Sequence, residues 1–315
     1  MNADAEEWFA CRTWQEPKWD VADLVAAKAG RRVSVVLPAL DEEATVGSVV
    51  TAIVPMTAGP APLVDELVVM DSGSTDRTIE VATAAGARVL RREDVLREVE
   101  PVPGKGEVLW RSLAATTGEI VCYLDSDLVD FDPAFVPALL GPLLTDPDVA
   151  LVKGFYRRPL RLETTQVDTG GGRVTELLVR PLLAALRPEL CGVIQPLGGE
   201  YAATRTLLES VPFAAGYGVE IGLLLDTFAR LGLNGLAQVN LGVRKHRNRS
   251  LLQLGVMSRQ ILAAALARCG VADLGGDITQ FVQVDREWLG SSTAVATGDR
   301  PPMSEVLARG SGTAR

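Results

Sequence analysis

"RRVSVVLPALDEEATVGSVVTAIV", residues 31–54, decides the fold. A β-branched run stops at an acidic turn, the mark of a buried strand. Val46, Val49, Val50 and Ile53 then recur at helical spacing. The pattern repeats at "LVDELVVMDSGSTD" (63–76), where a strand enters a Ser/Gly/Thr/Asp turn ahead of the helix "RTIEVATAAG" (77–86). "ARVLRRE" (87–93) is a short third strand, "GKGEVLWRSLAATTG" (104–118) a helix with a glycine stop, and "EIVCYLDSD" (119–127) a fourth strand. Strands alternating with helices imply parallel βαβ units with right-handed crossovers. The expected class is α/β, a Rossmann-like, mostly parallel sheet flanked by helices. Functional residues should gather at the carboxyl ends of its strands.

The flanking regions are less regular. Residues 1–32 read as helical, with Trp8, Phe9, Trp14 and Trp19 available for packing. "VALVKGFYRRPL" (149–160) reads as a strand with a basic exit, and "DTGGGRVTELLVRPLLAAL" (168–186) as a glycine loop opening a helix. "GVIQPLGGEYAATRTLLESV" (192–211) and "GYGVEIGLLLDTFARLG" (216–232) each place a glycine loop before a helix. "LAQVNLGVRKHRNRS" (236–250) is a strand with a basic end, and residues 251–270 form a long last helix. The tail from 286 has few large apolar residues and is expected to be mobile.

Composition narrows the function. The 315-residue chain is 47% hydrophobic, enough for a sizeable core, and its formal charge of −9 argues against a general nucleic-acid binder. No run of eighteen apolar residues marks a membrane span. The amino terminus lacks the basic and apolar regions of a secretory signal. Cys11, Cys122, Cys191 and Cys269 are far apart, which disfavours a zinc site or a disulfide framework. The expectation is a soluble cytoplasmic protein with mostly buried thiols.

Three constellations carry chemistry. Asp125-Ser126-Asp127 sets two carboxylates at a strand mouth, where extended residues i and i+2 face one side. A hard divalent cation would compensate them; an ordinary turn after a strand is the competing reading. His246, the single histidine, stands among Arg244, Lys245, Arg247 and Arg249, so any catalytic pair needing a histidine must use it. An anion site and a solvated basic turn are both consistent with that segment. Gly172, Arg173 and Thr175 offer backbone amides and a cation at a helix start, suited to a phosphate or carboxylate. Neither a dinucleotide-binding GxGxxG nor a P-loop occurs in the chain. Lys105, Glu200 and Glu220 each sit beside glycines ahead of a helix, as groups lining a cleft or as ordinary helix-start charges.

Together "VVLPALDEEATVGSVV", "VVMDSGSTDRT", "GKGEVLWRSL", "YLDSD", "GYGVEIGLLLDT" and "KHRNRS" resemble the GT-A glycosyltransferases. "TGGGRVTELLVRPLL", "PLGGEYAATR" and "RKHRNRSL" narrow the resemblance to the glucosyl-3-phosphoglycerate synthases, over roughly residues 33 to 285. That resemblance implies retaining transfer of glucose from UDP-glucose to the 2-hydroxyl of D-3-phosphoglycerate, with Mg2+ or Mn2+, the step that starts methylglucose lipopolysaccharide synthesis. It divides the chain into an amino-terminal segment (1–32), a nucleotide-sugar half (33–160), an acceptor half (161–250), a helical region (251–285) and a tail (286–315).

By motif, the resemblance implies that Pro38, Ala39, Leu40, Asp41, Glu42, Ser72, Lys105, Asp125, Ser126, Tyr217, Glu220 and Arg244 bind the nucleotide sugar. Gly172, Arg173, Thr175 and Asn248 would bind phosphoglycerate, and Asp127 and His246 the metal. Glu220, Asp127 and Lys105 are the candidate catalytic residues. Asp41 departs from the family's more usual asparagine and adds a negative charge beside the nucleotide pocket. A homodimer is also implied, with Leu251, Leu252, Leu254 and Leu262 as candidate contacts.

A retaining hydrolase pairs two carboxylates about 5 Å apart, and no such pair is identifiable from the sequence. Same-face substitution, in which the leaving phosphate helps deprotonate the acceptor, is the expected mechanism. The competing readings are a mannosyl-3-phosphoglycerate synthase, another GT-A sugar transferase, and a non-catalytic sugar-nucleotide-binding regulator. A polyprenyl-phosphate acceptor is disfavoured by the lack of an amphipathic or transmembrane anchor.

Overall fold

The computed structural model describes residues 1–157, 172–243 and 250–312. Its first half runs α1 (Ala3–Arg12), β1 (Thr13–Trp14), α2 (Val21–Lys28), β2 (Val33–Ala39), α3 (Val46–Ile53), β3 (Glu66–Asp71), α4 (Thr78–Ala84), β4 (Arg88–Arg91), α5 (Lys105–Ala115), β5 (Ile120–Tyr123), α6 (Phe135–Thr145) and β6 (Leu151–Arg157). The second half continues with α7 (Arg180–Leu186), β7 (Tyr201–Thr204), α8 (Arg205–Ser210), β8 (Phe213–Ala214), α9 (Val219–Leu231), β9 (Leu236–Val243), α10 (Leu251–Arg268), β10 (Ile278–Val284), β11 (Glu287–Thr293), β12 (Asp299–Arg300) and α11 (Met303–Gly312).

Eight strands form the central sheet in the order β1-β9-β6-β7-β5-β2-β3-β4. Every pairing in it is parallel except the two made by β7. β2 shows why the apolar run must be a central strand. Val33, Val35 and Leu37 enter the core beneath α2, α3, α4 and α6, while Val36 enters the opposite core with residues of α5, α9 and α10. A strand covered on both faces reads as a continuous hydrophobic run.

Several expectations need correction. "GGEYAATR" is not only a glycine loop before a helix: its middle forms β7, antiparallel between β5 and β6. Four residues with two alanines are too short and too plain to announce a strand. The amino-terminal segment is not purely helical, because β1 adds to the sheet edge alongside β9. There Trp8 Nε1 donates to the Leu236 carbonyl at 2.8 Å, and Trp14 packs on Trp19 at 5.7 Å. The 251–285 region is helical only as far as Arg268, after which β10 opens a hairpin with β11.

The tail is also not the mobile segment its composition implies. β12 pairs with β8, Met303 is fully buried, and Trp110 Nε1 donates to the Pro301 carbonyl at 2.8 Å. Ion pairs and one buried methionine hold it, and none of these gives an apolar periodicity. Of the four cysteines, all free, only Cys122 is fully buried and Cys11 is exposed. No helix among the described residues is long and apolar enough to cross a membrane.

Candidate active site

Two turns leave the carboxyl ends of β2 and β3 and lock onto each other. Asp41 has φ +55°, a left-handed conformation that asparagine and aspartate tolerate better than other side chains. Its Oδ1 accepts from the Thr75 amide at 2.7 Å and the Thr75 hydroxyl at 3.2 Å, while its own amide donates to Ser74 Oγ at 3.0 Å. The charge that departs from the usual asparagine is therefore turned toward the "DSGSTD" turn. Asp71 holds that turn by accepting from the amides of Gly73 (2.9 Å) and Ser74 (3.2 Å). The Glu42 amide donates to Thr78 Oγ1 at 2.7 Å, and Ser72 joins the strands through its amide to the Ala39 carbonyl at 2.8 Å. Pro38 and Ala39 end β2, and Leu40 is exposed just beyond it.

The third turn follows β5 and carries Asp125, Ser126 and Asp127. Ser126 is buried and its hydroxyl donates to the Pro38 carbonyl at 2.7 Å, welding this turn to the end of β2. Opposite it, Lys105 begins α5 after Gly104, whose φ of +120° suits glycine and whose added Cβ would lie 2.8 Å from the Gly216 Cα. That close approach seats α5 against the "GYG" turn, where Tyr217 lies, and against Glu220 in the first turn of α9. Gln260 of α10 accepts from the Tyr217 amide at 3.2 Å and steadies the turn from behind.

The result joins three elements at one ammonium group. Lys105 Nζ is 2.5 Å from Asp125 Oδ1 and 2.8 Å from Glu220 Oε1. Burial works against the lysine's charge, but the two carboxylates outweigh it and hold the pKa well above the usual lysine value. Gly199 closes the same spot, since a Cβ there would lie 2.4 and 2.6 Å from the Asp125 oxygens and 2.6 Å from Lys105 Nζ.

Beneath this cluster the sheet carries polar groups that motif reading missed. Tyr123, Tyr201, Lys153 and Gln238 are register partners across β5, β7, β6 and β9, so they share one face. Lys153 is 3% exposed; its Nζ donates to the Gly198 carbonyl at 2.6 Å and rests 4.7 Å from the centre of the Tyr201 ring. Burial pushes its pKa down to about 8, with Lys105 adding to the fall and Glu220, Glu200 and Asp125 opposing it. Tyr201 is raised well above the usual phenol value by burial and the nearby Glu220 charge. The signal was present: a lysine inside the apolar run "VALVKGFY" has no solvent face.

Gly172, Arg173 and Thr175 begin a separate helical stretch that leads into α7. Thr175 is buried and Arg173 exposed, and Thr175–Val179 form a π turn closed by the Arg180 amide donating to the Thr175 carbonyl. Such turns inside helices are frequent at functional sites. Arg244, His246 and Asn248 lie outside the described residues. Among the described residues no three His, Cys, Asp or Glu side chains converge into a metal cage. Asp127, half-buried in the turn after β5, is a hard oxygen donor. Its type fits Mg2+ or Mn2+, which take one or two carboxylates and the remaining ligands from substrate phosphates and water.

The mostly parallel α/β sheet agrees with comparisons to known proteins. Residues 34–212 match the model of glycosyl transferase family 2, which sets the class as a glycosyltransferase. The chain is 63% identical over 302 residues to the glucosyl-3-phosphoglycerate synthase of Mycolicibacterium smegmatis, covering 96% of this chain and 99% of that one. The crystal structure of glucosyl-3-phosphoglycerate synthase from Mycobacterium tuberculosis with Mn2+, UDP and glucosyl-3-phosphoglycerate superposes with a TM-score of 0.86 at 58% identity, covering 94% and 99% of the two chains. Its complex with Mn2+, UDP-glucose and phosphoglyceric acid gives 0.85 at 59% identity, covering 93% and 98%. The chain belongs to the glucosyl-3-phosphoglycerate synthase family.

Proposed function

We propose that this protein transfers glucose from UDP-glucose to the 2-hydroxyl of D-3-phosphoglycerate with retention at the anomeric carbon. The observation that carries the reading is the Lys105 ammonium held between Asp125 (2.5 Å) and Glu220 (2.8 Å), at the carboxyl end of a sheet whose relatives were crystallised with these ligands. In the transfer the anomeric carbon–phosphate oxygen bond breaks, the bond to the acceptor 2-oxygen forms on the same face, and the hydroxyl proton passes to the leaving phosphate. Lys105 places fixed positive charge beside the departing UDP, where negative charge develops. Glu220, anchored in the first turn of α9, orients the sugar hydroxyls. Arg173, Thr175 and Gly172 bind the phosphoglycerate anion, joined by Asn248. Asp127 and His246 hold the divalent cation, which when bound neutralises the diphosphate and stabilises its departure.

A proton NMR time course with Mg2+, UDP-glucose and D-3-phosphoglycerate tests this. A new anomeric doublet with a small α-type coupling, absent with EDTA and in Asp127→Ala, is the expected result. Free glucose alone would overturn the acceptor assignment, and unchanged substrates would overturn the activity.

The protein also acts as a homodimer in the cytoplasm. Its support is an apolar surface on the C-terminal elements: Trp288 is 67% and Leu251 71% exposed, with Phe281, Leu289 and Leu252 also exposed. Leu254 and Leu262, in contrast, pack on the core.

A further inference from the structure

We propose that Lys153 is a positioning residue for glucosyl transfer, holding the Gly198–Gly199 turn against the Asp125–Lys105 pair and so fixing where Lys105 meets Glu220. The inference rests on the function proposed above and adds a residue to its machinery. Lys153 lies on β6, remote in sequence from Lys105, Asp125 and Glu220. Its reach to the site is through backbone. Nζ donates to the Gly198 carbonyl at 2.6 Å, and the Tyr201 ring supports the ammonium from its other side at 4.7 Å.

The turn is clamped from two further directions. The Gly154 amide donates to the Glu200 carbonyl at 2.8 Å, and a Cβ on Gly198 would come within 2.9 Å of the Gly154 carbonyl oxygen. On the far side, the added Cβ at Gly199 would lie 2.4–2.6 Å from the Asp125 oxygens and Lys105 Nζ. One glycine turn thus separates two ammonium groups, and any movement of it is passed directly to the ion pair. Packing alone does not account for the lysine, because an apolar side chain of similar volume would fill the space without the cost of burying a charge.

Two substitutions press on the turn from opposite sides. Lys153→Met keeps the side-chain length and removes the donor and charge. Gly199→Ala leaves Lys153 intact, and its methyl presses first on the side-chain ends of Asp125 and Lys105, so it displaces the pair. Steady-state kinetics with UDP-glucose and D-3-phosphoglycerate, alongside thermal unfolding, read the outcome. We expect each variant to lose about 10- to 100-fold in kcat, the scale of an ångström-size misplacement. The KM for phosphoglycerate should stay within about twofold, since Arg173 and Thr175 are on another element, and Gly199→Ala should still unfold in one cooperative transition. A kcat within about twofold of wild type in Gly199→Ala overturns the proposal, whether or not Lys153→Met folds. So does a Lys153→Met loss that vanishes when activity is counted per folded molecule. Absence of product from the wild-type protein would instead overturn the proposed function.

Discussion

Arg300 is expected to stabilise the whole protein, although it lies in a tail whose composition reads as mobile. Its guanidinium donates to Glu107 Oε2 at 2.5 Å and Oε1 at 2.9 Å, and to the Glu100 carbonyl at 2.6 Å. It also lies 5.2 Å from the Trp110 ring centre. Glu107 is 1% exposed and sits in the first turn of α5, two residues from Lys105, so the strap fastens the helix that presents the site lysine. Removing one partner of a buried ion pair costs about 3–5 kcal/mol. Arg111 remains 2.6 Å from Glu107 and Arg300 is 20% exposed, which places Arg300→Met at the lower end, about 3 kcal/mol.

At the usual entropy of unfolding per residue, a chain of this length loses about 4–5 °C in melting temperature for that change. Differential scanning calorimetry of wild type, Arg300→Met, Glu107→Gln and the double variant measures both the loss and the coupling. A coupling of about 1 kcal/mol or more is expected for charged groups in contact. A melting temperature within about 1 °C of wild type, or additive effects of the two changes, would refute the reasoning.

Glu220→Gln should lower kcat by about 10- to 100-fold, and intact-mass analysis during turnover should show no glycosylated protein. A covalent adduct would sink direct same-face displacement. Asp41→Asn should leave stability within about 0.5 kcal/mol and the KM for UDP-glucose within about threefold, because an amide oxygen can accept from Thr75 as the carboxylate does. A much larger KM change would mean that the Asp41 charge contacts the nucleotide. Activity should fall above pH 8, as Lys153 loses its proton from a pKa of about 8, and the fall should be absent in Lys153→Met. Stability moves the other way: the folded-state pKa lies below the ordinary value of 10.5, so this group's penalty disappears as pH rises from 8 to 10.5. A rate still climbing past pH 9 would refute the fall in activity. Trp288→Glu should convert a dimer to a monomer by light scattering after gel filtration, and a wild-type monomer would end that reading.

The parts legible in the sequence were those with a local signature. β2, β3 and β5 announced themselves because burial on both faces demands unbroken apolar runs, and their acidic and glycine turns followed from what must happen where a strand stops. β7 and the strap did not, because each is defined by what lies beside it. Tyr201–Thr204 is a strand only because β5 and β6 leave a gap between them, and Asp299–Arg300 is ordered only because Glu107 and Ala214 are in reach. The same distinction separates the residues of the site. Lys105, Asp125 and Glu220 stand in motifs, but that one ammonium bridges both acids is a fact of tertiary geometry.

Lys153 is the instructive middle case. A lysine inside an apolar strand must find compensation within the protein, so the sequence alone poses the question of its partner. The answer, a backbone carbonyl in a glycine turn that touches the Lys105–Asp125 pair, comes only from the sheet order that places β7 next to β6. A buried charge unexplained by its own segment is therefore a pointer to structure elsewhere in the chain, and here it points at the floor of the candidate active site.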